Sequence, residues 1–416
     1  MIQSRKTAAC AAAFMIAVAT RTTSAADDAV QQCVINKSAH DDFSGVVTVT
    51  QNGRPIVSVV RGKLAGDDSA AIGPDTRFNL GSASKMFTTV AIGQLIDAGK
   101  VQLDDPIGAF VKDLGPETAA VTIRQLLTHS SGLGDFFKPE NMTAMLKART
   151  ASDLLPLVAH DKPAFPRGSQ FAYSNSGFAL LGVVIERVSG LNFGEYLAQH
   201  IFAPARMTHT GLDPKPLATL AVGMTAMRME MTPGQARGGS GPVLIRPEGS
   251  PRVAGPGSVP VGPDASGRAV LPRNLTLHPA PGATEGYGSP AGGFFSTAND
   301  MQQFARAFLN HRLTSAVTVA ALTAPHIVSA PATAGRSERQ YGLGFGVGVE
   351  DGHKWFGHNG GTLGANTEFA VFPEDGLTLS VLVNRDPPMA TAMFAYVKQL
   401  VFAPSLVSTC GTGREE

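Results

Sequence analysis

Several familiar chemistries are missing from this sequence. It holds 3 cysteines in 416 residues, and none falls in a metal-like cluster. No His-Glu-x-x-His pair occurs, so no metal is expected, and nothing in the chain calls for a cofactor. No Gly-x-Ser-x-Gly elbow occurs either, which leaves an α/β-hydrolase nucleophile unsupported. Charge of one sign is also lacking: 34 basic against 33 acidic residues give a formal net charge of +1. That balance offers no electrostatic attraction to nucleic acid or to an acidic membrane surface. What the composition does supply is 43% hydrophobic residues, enough for a large core.

The N-terminus reads as a signal peptide over residues 1–25. Arg5 and Lys6 precede an apolar stretch at 7–20, which is too short to span a bilayer comfortably. Thr23-Ser24-Ala25 and Ser24-Ala25-Ala26 both offer small-x-small cleavage sites. Cleavage after Ala25 leaves 416 − 25 = 391 residues, read as one domain at 26–416 with no remaining membrane span. It removes Arg5, Lys6 and Arg21, so the charge becomes 1 − 3 = −2. An uncleaved anchor is the alternative. Cys10 lies within the apolar stretch, which argues against a lipoprotein site. The expected location is periplasmic or secreted.

Three short motifs carry the chemistry. Ser82-Ala83-Ser84-Lys85 is the one place where a serine stands three residues before a lysine. It opens an apolar run from Met86 to Ile96 at helical spacing, which puts Ser82 and Lys85 on one helix face, one turn apart. A serine hydroxyl there sits beside helix N-terminal N–H groups, and a buried lysine with a lowered pKa relays its proton. Read alone, the pair is equally a capping serine and a solvated lysine. Tyr173-Ser174-Asn175 is the one Tyr-x-Asn, at a loop-to-helix junction. Gly357-His358-Asn359-Gly360-Gly361 follows Trp355-Phe356 and precedes two strand-like runs.

Taken in order, these motifs resemble the signature of the serine β-lactamase and penicillin-binding-protein superfamily. Leu126-Leu127-Thr128-His129-Ser130-Ser131-Gly132-Leu133, Gly292-Gly293-Phe294-Phe295-Ser296-Thr297-Ala298-Asn299-Asp300 and Tyr341-Gly342-Leu343-Gly344-Phe345 extend the likeness. They are similar to segments of the branch that holds class C β-lactamases, D-Ala-D-Ala carboxypeptidases, D-aminopeptidases and β-lactamase-like esterases. The likeness runs from about residue 40 to residue 402.

The fold expected is α+β, a mixed α/β sandwich. Strands at 45–51 and 55–61, joined by an Asn52-Gly53 turn, read as a hairpin. Strands at 342–350, 367–372 and 377–383 come from the other end of the chain, with a closing helix at 388–402. Between them, residues from about 104 to 300 read as a mostly helical region, with helices at 176–189 and 192–201. A further helix at 297–310 has Thr297 as cap and Met301, Phe304, Phe308 and Leu309 facing inward. Of the 30 positions in 233–262, 14 are Gly or Pro, which reads as an irregular excursion, either a surface loop or a lid over the cleft. The resemblance implies the same plan: an antiparallel sheet built from both chain ends, flanked by helices, with the site at the junction with the helical region. It also implies that the terminal helices pack side by side, which permits a Cys33–Cys410 disulfide after export.

The resemblance assigns roles residue by residue. Ser82 is the nucleophile, Lys85 and Tyr173 form one coupled proton-handling unit, and Asn175 orients Lys85 and an acyl amide. His358 takes the place where β-lactamases carry lysine, lining the cleft to bind a carboxylate or relay protons. Gly360 and Gly361 let substrate pass close to the strand, and the N–H groups of Ser82 and Gly361 form the oxyanion hole. Histidine is charged only part of the time near neutral pH, which leans away from β-lactam hydrolysis. His209-Thr210-Gly211 matches the third motif more literally, but it follows a helix-exit segment and no strand pair follows it. His129 reads as a buried structural histidine. The expected activity is two-step acyl transfer to water on a small-molecule or peptide ester or amide, as a D-Ala-D-Ala type peptidase or an esterase, with class C-like β-lactam hydrolysis as the alternative. The alternative from another class is a non-catalytic binding or scaffold protein of the same fold.

Overall fold

The computed structural model describes residues 24–226, 276–332 and 338–410, with the backbone of four short strand segments at 228–231, 242–245, 262–263 and 269–270. Residues 1–23, which hold most of the expected signal peptide, lie outside the described residues.

Alternation of inward and outward side chains builds one eight-stranded sheet. Its strands are β1 (Gly45–Gln51), β2 (Arg54–Arg61), β3 (Ile327–Ala330), β4 (Arg339–Tyr341), β5 (Gly346–Glu350), β6 (His353–Thr362), β7 (Ala365–Phe372) and β8 (Leu377–Val383). They run antiparallel in the order β3-β4-β5-β6-β7-β8-β1-β2. The N-terminal hairpin thus completes a sheet made by the C-terminal third, as expected. Strand β8 is buried along its whole length because both faces of the sheet are covered.

Each face closes a separate core. Val46, Phe356, Phe369, Val371 and Leu382 pack with α2 (Lys85–Asp97), α4 (Asn175–Ser189) and α5 (Ala298–Leu309). Val47, Val49, Ala370, Phe372 and Val381 turn the other way, under α1 (Ala25–His40) and α7 (Met389–Phe402). The molecule is therefore layered helix, sheet, helix. Smaller helices in the first layer include α3 (Ile123–Leu127) before the active-site loops and α6 (Ala316–Thr323), whose cap Ser315 binds Asp97 at the end of α2. Thr297 caps α5 through Asp300 N–H, and Met301, Phe304 and Phe308 are buried as expected, while Leu309 is half-buried.

Three expectations change. Helix α2 begins at Lys85, and Ser82 lies in a preceding 3-10 turn, Gly81–Ser84. A 3-10 turn eclipses residues three apart, so the Ser82–Lys85 spacing still aligns the two side chains. Within the Gly/Pro-rich stretch, the described segment 242–245 pairs with 228–231, and 262–263 pairs with 269–270, so these parts are strands rather than irregular chain. Gly360 has a packing role that the substrate-passage reading did not include. It is buried, and a Cβ there would overlap the Leu80 carbonyl and lie 3.0 Å from Ala83 N. Gly81 makes the reciprocal approach. Its φ of +51° suits glycine, and a Cβ would lie 2.7 Å from Gly361 N. Bare backbone on both sides lets β6 press directly against the serine turn.

Cys33 and Cys410 meet where α1 and the end of the chain pack on the far face, with Cα atoms 5.5 Å apart. That separation lies in the usual disulfide range.

Two outcomes follow. Gly360→Ala should lower stability by about 1–3 kcal/mol through overpacking, whereas Gly361→Ala, which meets only the Pro387 ring at 3.1 Å, should melt near the parent; paired thermal melts compare them. Protein purified from an oxidising compartment should yield a Cys33–Cys410 peptide on non-reducing mass mapping, and Cys33→Ser should cost about 2–4 kcal/mol. Two free thiols would remove the pairing.

Candidate active site

The serine turn is held from several sides before any chemistry begins. Gly81 N–H donates to Asn79 Oδ1 at 2.8 Å, and Ser84 Oγ donates to Gly81 O at 2.8 Å. The 289–296 segment runs alongside: Leu80 N–H donates to Phe294 O at 2.8 Å, Gly293 N–H to Gly81 O at 3.1 Å, and Phe294 N–H to Ser84 Oγ at 3.1 Å. These bonds leave Ser82 partly exposed at the mouth of the helical layer.

Lys85 sits directly beneath, with a fully buried side chain. Its Nζ lies 2.7 Å from Asn175 Oδ1, 2.5 Å from Ala291 O and 3.3 Å from Ser82 Oγ. Burial lowers its pKa to about 7, and the Asp135 carboxylate partly opposes that. Tyr173 and Phe178 place their rings 4.8 and 5.3 Å from Nζ.

Tyr173 and Asn175 arrive from the loop that leads into α4. Ser174 caps that helix by accepting from Gly177 N–H, as the loop-to-helix junction suggested. Asn175 is its first residue, and its Nδ2 donates to Asp135 Oδ2 at 2.7 Å. Burial holds the Tyr173 phenol above its ordinary pKa, and the neighbouring Ser82 side chain offsets this only in part.

His129 fixes this loop. Its carbonyl accepts from Ala172 N–H at 2.8 Å, and its Nδ1 accepts from Ser174 N–H at 3.0 Å. Its ring lies 4.2 Å from the Tyr173 ring, centroid to centroid, and 5.1 Å from those of Phe178 and Tyr341. Burial, first, and the Lys85 charge, second, push its pKa well below the ordinary value. The structural reading of this histidine matches its burial, and its contacts place it directly under Tyr173.

His358 stands on β6 facing the same side, 6.3 Å from the Tyr173 ring. It differs from the partly charged cleft residue expected. It is 7% exposed, and its Nδ1 lies 2.5 Å from the Asn359 carbonyl, an obligate acceptor. The ring proton therefore sits on Nδ1, and Nε2 accepts from the Tyr341 hydroxyl at 2.9 Å. Burial and the nearby Lys85 charge lower its pKa to about 4. At neutral pH this is an uncharged imidazole.

The structure thus brings together Ser82, Lys85, Tyr173, Asn175, His358, Gly360 and Gly361. It leaves His209 outside: that residue is exposed, and its N–H donates to Asp300 at 2.8 Å at the start of α5. Three participants went unnoticed in the sequence: Asp135, the Ala291 carbonyl and Tyr341. A carboxylate that meets Asn175 from 40 positions away has no local pattern.

Known proteins share the family and the fold. A family model described as Beta-lactamase matches residues 30–402. The chain is 32% identical over 181 residues to a probable hydrolase, M10, from Phoma sp., covering 36% of this chain and 30% of that relative. It therefore spans under a third of that relative's length. A penicillin-binding protein from Bacillus halodurans shares the fold with a TM-score of 0.69 and 25% identity, over 88% of this chain and 98% of its own. D-amino acid amidase from Ochrobactrum anthropi SV3 gives a TM-score of 0.66 at 19% identity, over 92% and 100%. With a family match over most of its length, the chain belongs to the Beta-lactamase family.

Proposed function

We propose that this protein is an exported serine hydrolase that cleaves esters or amides lacking a carboxylate near the scissile bond. The observation that carries this reading is His358. The position expected to meet a substrate carboxylate is a buried, neutral imidazole whose Nε2 already accepts from Tyr341. A carboxylate entering there finds no cation at His358, and the Asp135 carboxylate lies two hydrogen bonds from Lys85. D-Ala-D-Ala peptides and β-lactams both carry such a carboxylate, so peptidase and β-lactamase activity rank below esterase or simple amidase activity. Export is supported by the leader-like N-terminus and by the paired Cys33 and Cys410.

Proton handling follows from counting donors. A neutral lysine amine has two N–H groups and one lone pair. Asn175 Oδ1 and Ala291 O can only accept, so they take both N–H groups. The lone pair is left for the Ser82 hydroxyl, 3.3 Å away. Lys85 is therefore the base, and its pKa near 7 makes the neutral form available at working pH. Tyr173 stays a phenol and passes a proton between Ser82 and the leaving group.

Ser82 Oγ attacks the carbonyl carbon as its proton moves to Lys85. The oxyanion is held by Ser82 and Gly361 N–H groups. The proton returns through Tyr173 to the departing alcohol or amine, leaving the acyl group on Ser82. Water then attacks the ester, its proton taken by the same unit, and releases the acid and the free serine.

A fluorophosphonate should add once, to Ser82, by intact mass, and Ser82→Ala should take no label and show no turnover. p-Nitrophenyl acetate should be hydrolysed at least about tenfold faster than a D-Ala-D-Ala peptide or a chromogenic cephalosporin. A faster peptide would shift the reading to a peptidase, and no label with no turnover would leave a binding protein. The sign of the pH dependence is fixed: kcat/KM should fall on the acid side with a midpoint near 7, as Lys85 becomes an ammonium. Lys85→Arg, permanently protonated, should be inactive across that range.

A further inference from the structure

Nothing in the sequence or in the family match assigns a role to Asp135. It sits on the segment after α3, and both its carboxylate oxygens are engaged. Oδ1 accepts from Phe137 N–H at 2.9 Å, and Oδ2 accepts from Asn175 Nδ2 at 2.7 Å. The first bond fixes the carboxylate within its own turn, and the second fixes which way the Asn175 amide faces.

That orientation matters because an asparagine amide is nearly symmetric in shape but opposite in polarity at its two ends. With Nδ2 turned to a carboxylate, Oδ1 must face Lys85. Reversed, the amide would present N–H groups to Nζ and take up its lone pair. We propose that Asp135 is a positioning residue: through Asn175 it sets the polarity of the hydrogen-bond chain that aims the Lys85 lone pair at Ser82, and its carboxylate is the charge on which that chain ends. This rests on the serine-hydrolase reading above.

The chain is directional at every link. The carboxylate accepts from the amide and the amide oxygen accepts from the amine; the amine donates to Ser82 Oγ as an ammonium and accepts from the serine once neutral. The charged and titratable neighbours of Lys85 divide by sign and distance. Asp135 favours its ammonium form, and the desolvated surroundings oppose it. His129 and His358, on the other sides, are neutral, and Tyr173 is a phenol at working pH. Among the described residues Asp135 is thus the one carboxylate acting on Lys85, and its loss should lower the lysine's pKa rather than raise it.

Two variants separate geometry from charge. Asp135→Asn keeps an oxygen able to accept from Asn175 and removes the charge; Asp135→Ala removes both. With p-nitrophenyl acetate, D135A should lose about 10- to 100-fold in kcat with KM changed less than about threefold. D135N should move the acid limb of kcat/KM down by about half a unit or more. The Lys85 titration should follow the same displacement by NMR of 15N-lysine-labelled parent and D135N, a readout that needs no turnover. Thermal melts confirm that the variants fold. An unmoved Lys85 titration in D135N, or a D135A kcat within about twofold of the parent, overturns the proposal. A parent that neither labels at Ser82 nor turns over would sink the hydrolase reading instead, and the NMR comparison would still decide the role of Asp135.

Discussion

The site depends on one buried amine. A lysine in a dry interior is costly as an ammonium, and the protein meets that cost with acceptors rather than with a neighbouring ion pair. Two short bonds, to Asn175 Oδ1 and Ala291 O, take the hydrogens of Nζ. What surrounds the amine is arranged around that choice. The 289–296 segment supplies a main-chain carbonyl, α4 supplies an amide, and aromatic rings exclude water. A change at the Asn175 amide or the Ala291 carbonyl reaches Ser82 through the amine.

The sheet enters the site by proximity of backbone to backbone. Strand β6 lies against the serine turn because Gly81 and Gly360 carry no side chains where the two meet. This is a steric device with an electrostatic result. It brings Gly361 N–H beside the turn, where a developing oxyanion can be shared between strand and turn. The same strand presents His358, and the partnership with Tyr341 turns a position suited to a cation into an uncharged wall.

Much of this was legible in the chain, and what was not has physical reasons. Ser82, Lys85, Tyr173 and Asn175 stand at fixed short spacings because each pair shares a turn or a helix start, so their order in sequence is their order in space. Strands β1, β2, β7 and β8 were legible because their faces alternate or their runs are continuously apolar. Strand β6 was not legible by alternation, since Gly357, Asn359, Gly360 and Gly361 erase the hydrophobic period; only family likeness pointed to it. The short edge strands β3 and β4 lack the length to show a pattern. Asp135, Tyr341 and the Ala291 carbonyl act across tertiary contacts, and the charge of His358 depends on a burial that its neighbours in sequence do not announce.

The strand order has a consequence for how the molecule forms. Where the N-terminal hairpin joins the sheet, Gly45 pairs with Val383, a separation of 383 − 45 = 338 residues. Neither half of the sheet can bury both its faces until nearly the whole chain exists. The serine turn, read out early, waits for β6, which is made late, to complete the oxyanion hole. Such long-range closure makes for slow folding and a prolonged stage with exposed strand edges. It also makes the working site an all-or-none property of the finished chain: a product that stops before β6 lacks both the strand that packs on the serine turn and the 358–361 segment it carries.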